Sequence, residues 1–273
     1  MQATETLKFR LDPQYLADLV LRYREEYQNA EPFQHVVIDN FLPELILDEV
    51  LKEFPKPREI DWQSFSNPAE RKLASANEQR MGDATCLVLY QLNSSTFIQF
   101  LEMLTGIDGI IPDPHFEGGG LHQIEPGGYL KMHVDFNKSS KLKLDRRLNL
   151  LLYLNRDWQE EYGGHLELWD KDMTRSYKKI LPIFNRCVIF NTNDFSYHGH
   201  PDPVTCPEGW TRKSLALYYY SNGRPASEVK QLKGDHSTIF RARSADEDVS
   251  TGEQPESVVR RGLRKVKSLL IKR

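Results

Sequence analysis

After residue 110 the chain breaks into short runs rich in leucine, β-branched and aromatic residues, each closed by Gly, Pro, Asn or Asp. This rhythm leaves few folds open. The runs are GLHQIE, YLKMHVDF, RLNLLLYLN, GHLELWD, RCVIFN, SYHGH and KSLALYYYS, with turns at Pro126-Gly127-Gly128 and Gly163-Gly164. Many short strands separated by turns predict a sandwich or jelly roll. The residues in front read differently. Leu16, Leu19, Val20 and Tyr23 recur at helical spacing behind Asp12 and Pro13, which predicts a helix over 12–30. FQHVVIDNFLP reads as a strand and turn, residues 43–54 as a second amphipathic helix, and 94–105 as a third that stops near Gly106. Residues 55–80, polar and carrying Pro55, Pro57 and Pro68, read as a long surface loop. The expected class is α+β, mainly β, with N-terminal helices packed on one face of a β core. The expected division is a helical or mixed support region over 1–110 and the β core over 111–243, both in one domain.

Hydrophobic residues at 39% and charged residues at 27% suit a sizeable core with a soluble surface. There is no apolar run of about 18 residues, so no membrane-spanning helix is expected. MQATETLKFRLD lacks the basic-then-apolar order of a signal peptide. Cys86, Cys187 and Cys206 are odd in number and lack CxxC spacing, which points to a reducing cytoplasm rather than a disulfide framework. Residues 244–256 (SADEDVSTGEQPE) read as an acidic linker. Residues 257–273 carry seven positive charges and no acid, so the body is more acidic than the net charge of −3 suggests. That body does not suit nucleic acid, and no nucleic-acid partner is expected. Val259, Leu263, Val266 and Leu270 make the tail a basic amphipathic helix. It could lie on an anionic membrane surface, making the protein peripheral, dock on a protein partner, or fold onto the acidic body.

Within YLKMHVDF, His133 and Asp135 are two apart, so a strand aims both at one face. A carboxylate facing a β core is costly without a partner, and a metal ion would be one. One imidazole and one carboxylate are two thirds of the facial triad of non-haem iron oxygenases, though a plain His–Asp hydrogen bond fits the same spacing. His198 and His200, in NDFSYHGHPDPV, are both candidates for a third ligand. Downstream, Arg212 and Ser214 share a strand face, and a guanidinium fork beside a hydroxyl suits a carboxylate ligand.

From about residue 119 to 222 these motifs resemble the catalytic domain of the prolyl 4-hydroxylase-like Fe(II)/2-oxoglutarate-dependent dioxygenases. The matching stretches are HQIEPGGYLKMHVDF, RRLNLLLYLNRDWQEEYGGHLELWD, FNTNDFSYHGHPDPV and TRKSLALYYYS. The resemblance implies a double-stranded β-helix. It implies that His133, Asp135 and His198 bind Fe(2+), His198 being favoured over His200 because Ser-x-His-Gly matches the family's setting. It further implies that Arg212 binds the distal carboxylate of 2-oxoglutarate, with Tyr153 and Ser214 beside it. O2 and L-ascorbate belong to the same expectation. The implied reaction hydroxylates a C–H bond, of a prolyl residue by family analogy, and releases succinate and CO2. Collagen-type members anchor with lysine, whereas the anchor position here is Arg212, with Lys213 adjacent. Asn149 stands where animal members often have threonine. The substrate is expected to be a peptide or small molecule. Two rival readings are a non-catalytic metal- or sugar-binding jelly roll and a zinc hydrolase.

Overall fold

Asp12 accepts a hydrogen bond from Gln14 N–H, and proline opens the first turn of α1 (Pro13–Asn29), which buries Leu16, Leu19, Val20 and Tyr27. The computed structural model describes residues 8–229 and 234–251. Strand β1 (His35–Ile38) and helix α2 (Glu44–Glu53) follow. Residues 55–80 depart from the expected surface loop. Strands β2 (Gln63–Asn67) and β3 (Glu70–Ser75) form a hairpin there, and a short 3₁₀ turn covers Glu78–Arg80. Asn67 Oδ1 accepts from the N–H groups of Ala69 and Glu70 and closes the hairpin. The strand was hidden because β2 is largely solvated and so shows no apolar alternation.

A helix without a sequence-level start signal comes next, α3 (Asp83–Leu92). Its first residue follows Gly82, and its amides at Ala84 and Thr85 are capped by the Glu53 carboxylate of α2. Such a borrowed cap is invisible to local reading. Helix α4 (Ser95–Thr105) has both local signals: Ser94 accepts from Phe97 N–H, and Gly106 ends it at φ 74°.

The remaining strands are β4 (Ile111–Pro112), β5 (Gly120–Ile124), β6 (Tyr129–Val134), β7 (Asp145–Tyr153), β8 (Leu166–Trp169), β9 (Ser176–Ile180), β10 (Cys187–Asn191), β11 (His198–His200), β12 (Arg212–Ser221) and β13 (Ile239–Phe240), with a short α5 (Ala226–Val229) between the last two. They pair antiparallel in the order β1-β10-β7-β12-β5-β3-β6-β11-β8-β9. Strand β3 joins the two walls, pairing through Leu73–Ser75 with β5 and through Glu70 and Arg71 with β6. The result is a rolled sheet, a major wall β1-β10-β7-β12-β5 facing a minor wall β6-β11-β8-β9. The sheet ignores the boundary at residue 110, because β1 and β3 belong to it.

Alternation decides what each wall shows. On β7 and β12, Leu148, Leu150, Leu152, Leu215, Leu217 and Tyr219 join the cluster that includes the buried residues of α1–α4. Asn149, Tyr153, Arg212, Ser214 and Tyr218 take the other face, inside the roll. The helical layer thus leaves one side of the major wall free to carry polar residues. Among the described residues, no helix is long and apolar enough to cross a membrane. The predicted tail helix over 257–273 lies outside the described residues.

Candidate metal centre

His133, the penultimate residue of β6, stands directly opposite His198 of β11 in the register. The two rings are 4.4 Å apart between centroids. Each ring is tied from behind: His133 Nδ1 lies 2.9 Å from the Lys131 carbonyl, and His198 Nδ1 lies 2.9 Å from the Ser196 carbonyl. A carbonyl only accepts, so both Nδ1 atoms carry the proton and both Nε2 atoms keep a lone pair. Those Nε2 atoms face Asp135, at 3.7 Å to Oδ1 from His133 and 3.3 Å to Oδ2 from His198. One ligand atom from each of the three residues falls within 4.8 Å of the other two. Two oriented imidazoles and one carboxylate form a donor set that could hold a divalent transition metal.

The carboxylate is held on its far side. Asn149 Nδ2 donates to Asp135 Oδ2 at 2.7 Å, and Arg146 Nη2 lies 3.1 Å from the same oxygen. Burial would raise the Asp135 carboxyl, but Arg146 and then the two histidines outweigh it and hold the group well below its usual range. Burial, followed by the proximity of His198, pushes His133 down to about 3. The site therefore favours an ionised aspartate and a neutral His133, the forms that bind metal.

Across the roll lies Arg212, 5% exposed. Its Nε donates to the Gly164 carbonyl at 2.7 Å, its Nη2 to Tyr153 Oη at 3.3 Å, and its Cζ lies 4.9 Å from the Tyr153 ring centroid. A Cβ on Gly164 would come within 2.8 Å of Arg212 Cδ, so only glycine lets the arginine pass. Among the described residues Arg212 makes no ion pair, and a buried guanidinium without a counter-charge is a demand for an anion. Ser214, also buried, pairs across the sheet with Tyr153 and His122. Asn149 and Tyr153 sit on one face of β7, so the carboxylate end and the arginine end of the site are about 13 Å apart along that strand.

The structure thus brings His133, Asp135 and His198 together, and groups Arg212, Tyr153 and Ser214 on the facing wall. His200 is not among the three grouped donors. Several polar strand residues near the site are engaged elsewhere. Gln123 binds Thr211 and the Pro55 carbonyl, Tyr129 binds the Asn67 carbonyl, and Lys131 binds the Pro201 carbonyl and Glu247.

Arg146 was missed. Strict alternation places it with Leu148 on the helix side, but β7 bulges at this point, Tyr219 pairing Leu148 and Tyr220 pairing Arg146. The bulge turns Arg146 inward, where its Cζ lies 3.4 Å from the Tyr218 ring centroid and 4.4 Å from that of Phe136. Also missed was the wall made by residues 234–251. β13 extends the sheet at β6, with Phe240 opposite His133 and its ring 5.4 Å from the imidazole. Glu247 forms half-buried pairs with Lys131 and Arg243, so the expected acidic linker is in part bound to the body. His133, Asp135, Arg146, Tyr218 and Phe240 all line a cavity of about 1090 Å³.

Residues 119–220 match the family model described as the 2OG-Fe(II) oxygenase superfamily. Prolyl 3-hydroxylase OGFOD1 of Mus musculus is 24% identical over 197 residues, which cover 70% of this chain and 33% of the mouse protein. The match therefore spans about a third of that relative's length. Among solved structures, a Pseudomonas putida prolyl-4-hydroxylase is 16% identical with a TM-score of 0.53, covering 76% of this chain and 100% of that one. A prolyl 4-hydroxylase from Phytophthora capsici is 17% identical with a TM-score of 0.53, covering 84% and 75%. A prolyl hydroxylase from Trichoplax adhaerens, solved with a peptide of hypoxia inducible factor, is 18% identical with a TM-score of 0.50, covering 77% and 90%. These likenesses establish the double-stranded β-helix.

Proposed function

We propose that this chain, whose residues 119–220 match the model of the 2OG-Fe(II) oxygenase superfamily, is an iron(II)- and 2-oxoglutarate-dependent oxygenase that hydroxylates a prolyl residue of a peptide. The observation that carries the reading is the pair of tied imidazoles: with both Nδ1 atoms bonded to backbone carbonyls, both Nε2 atoms are left facing Asp135. When bound, iron(II) with 2-oxoglutarate and O2 supplies oxidative decarboxylation of the co-substrate to succinate and CO2, coupled to conversion of a C–H bond to an alcohol.

The chain's own residues have separable parts. His133, Asp135 and His198 would hold the metal, and Asn149 and Arg146 hold Asp135 ionised and in place. Arg212, supported by Gly164 and Tyr153, would take the distal carboxylate of the co-substrate, with Ser214 beside it. A non-catalytic metal- or sugar-binding module would leave Arg212 buried without an anion, and that reading is not favoured. The cavity flanked by Phe136, Tyr218 and Phe240 supports a peptide substrate with an apolar ring. So do the prolyl hydroxylases among the relatives. In this reading 111–243 is the catalytic core and 1–110 its support. The three unpaired cysteines favour a reducing cytoplasm.

The test is succinate release with Fe(II), 2-oxoglutarate, O2 and L-ascorbate against a panel of proline-containing peptides. Release should depend on one class of peptide. His133→Ala, Asp135→Ala or His198→Ala should each abolish it, and Arg212→Ala should mainly raise the 2-oxoglutarate requirement. Full activity in any of the three metal-site variants would refute the assignment.

A further inference from the structure

Among the described residues His200 has no hydrogen-bond partner. It is 3% exposed, and neither ring nitrogen makes a hydrogen bond. His133 and His198, by contrast, each tie Nδ1 to the backbone and turn Nε2 to the carboxylate. A buried polar group left unsatisfied is costly, and an imidazole with two such atoms calls for a partner. Its surroundings say what is missing. His200 follows His198 on β11, beyond Gly199, and pairs with Leu130 across an irregularity in the register. On its other side β11 pairs with β8, His198 opposite Leu168 and Gly199 opposite Glu167, so His200 comes next, toward Leu166 and the Gly164 carbonyl that holds Arg212. The cation on that side of the ring is therefore the buried Arg212, which makes no ion pair among the described residues.

We propose that His200 is a second anchoring residue for the co-substrate: its imidazole donates one N–H to the distal carboxylate that Arg212 pairs with. The inference rests on the oxygenase reading above, because it requires 2-oxoglutarate in the site. It accounts for a histidine buried beside a cation with nothing to bond. An anion between the two side chains satisfies one nitrogen of His200 and the charge of Arg212 together, and a carboxylate oxygen has lone pairs enough for both donors.

Titration calorimetry on the Mn(II)-loaded protein tests this without turnover. His200→Leu, which keeps bulk and removes both nitrogens, should weaken 2-oxoglutarate binding about tenfold, the loss of one hydrogen bond to a charged group. His200→Gln, which keeps an N–H donor, should recover part of that loss. Mn(II) affinity should be unchanged in both. Binding of 2-oxovalerate, which lacks the distal carboxylate, should be weak in the wild type and equal in the variants. Wild-type affinity for 2-oxoglutarate in His200→Leu overturns the proposal, and so does loss of Mn(II), which would make His200 a metal ligand. Equal weakening of 2-oxovalerate also overturns it, since the effect would then be on the cavity rather than on the anchor. Failure of the Mn(II)-loaded wild type to bind 2-oxoglutarate is a different result: it removes the oxygenase reading itself, and this inference with it.

Discussion

At the scale of single residues the site is a set of constraints on protons. The folded chain keeps the His133 imidazole near 3, where its ordinary value is 6.5, because it is buried and then because His198 lies beside it. Between those two values the unfolded chain holds a proton that the folded chain does not. Stability from this ring is therefore intact above pH 6.5 and is lost progressively as the pH falls toward 3. In metal-free protein this ring should cost on the order of 1–2 kcal/mol between pH 7 and pH 5. His133→Gln should flatten the corresponding slope. Denaturant midpoints measured across that range check it, and parallel slopes for the two proteins would contradict it. His133 and Asp135 were legible in the sequence because a strand period of two aims both at one point. Arg146 was not, because a single bulged residue reverses its face, and nothing in DRRLNLLL marks where the bulge falls.

At the scale of elements, the distance between two strands is what brings the histidines together. β11 is three residues long, and its central residue is glycine. A Cβ on Gly199 would stand 2.8 Å from the carbonyl oxygens of both Leu130 and Lys131 on β6. Gly199→Ala should force β11 away from β6, lowering stability by about 1–3 kcal/mol and weakening metal binding as His198 retreats from His133. Thermal melting and a Mn(II) titration read the two effects, and a variant that melts and binds like the wild type would show that the strands have slack. The elements that sequence reading found are those with local signals, such as Asp12 for α1 and the Ser94 and Gly106 pair for α4. Those it missed borrow their signals: α3 takes its cap from Glu53, and β2 has no buried face to alternate.

For the whole molecule, the order of layers separates the work. Helices cover the outer face of the major wall, and the polar residues occupy the space inside the roll. The segment 234–251 closes that space on one side, held by β13 on β6, by Asn137 on the Gly234 carbonyl and the His236 amide, and by Glu247 between Lys131 and Arg243. Because Glu247 is the one acid shared by those two cations among the described residues' ion pairs with Lys131, Glu247→Ala should loosen this segment more than the core. Hydrogen exchange should quicken at the amides of 239–247 while those of β7 and β12 keep their protection. Uniform acceleration would mean that the segment is part of the core's cooperative unit. Thr251, at the far end of the segment, lines the same cavity as His133 and Asp135. Helix α1, by contrast, lies on the helical side of the major wall. A bulky label placed on the exposed face of α1 leaves the entrance clear, whereas one placed at Thr251 stands in the doorway that a peptide would have to use.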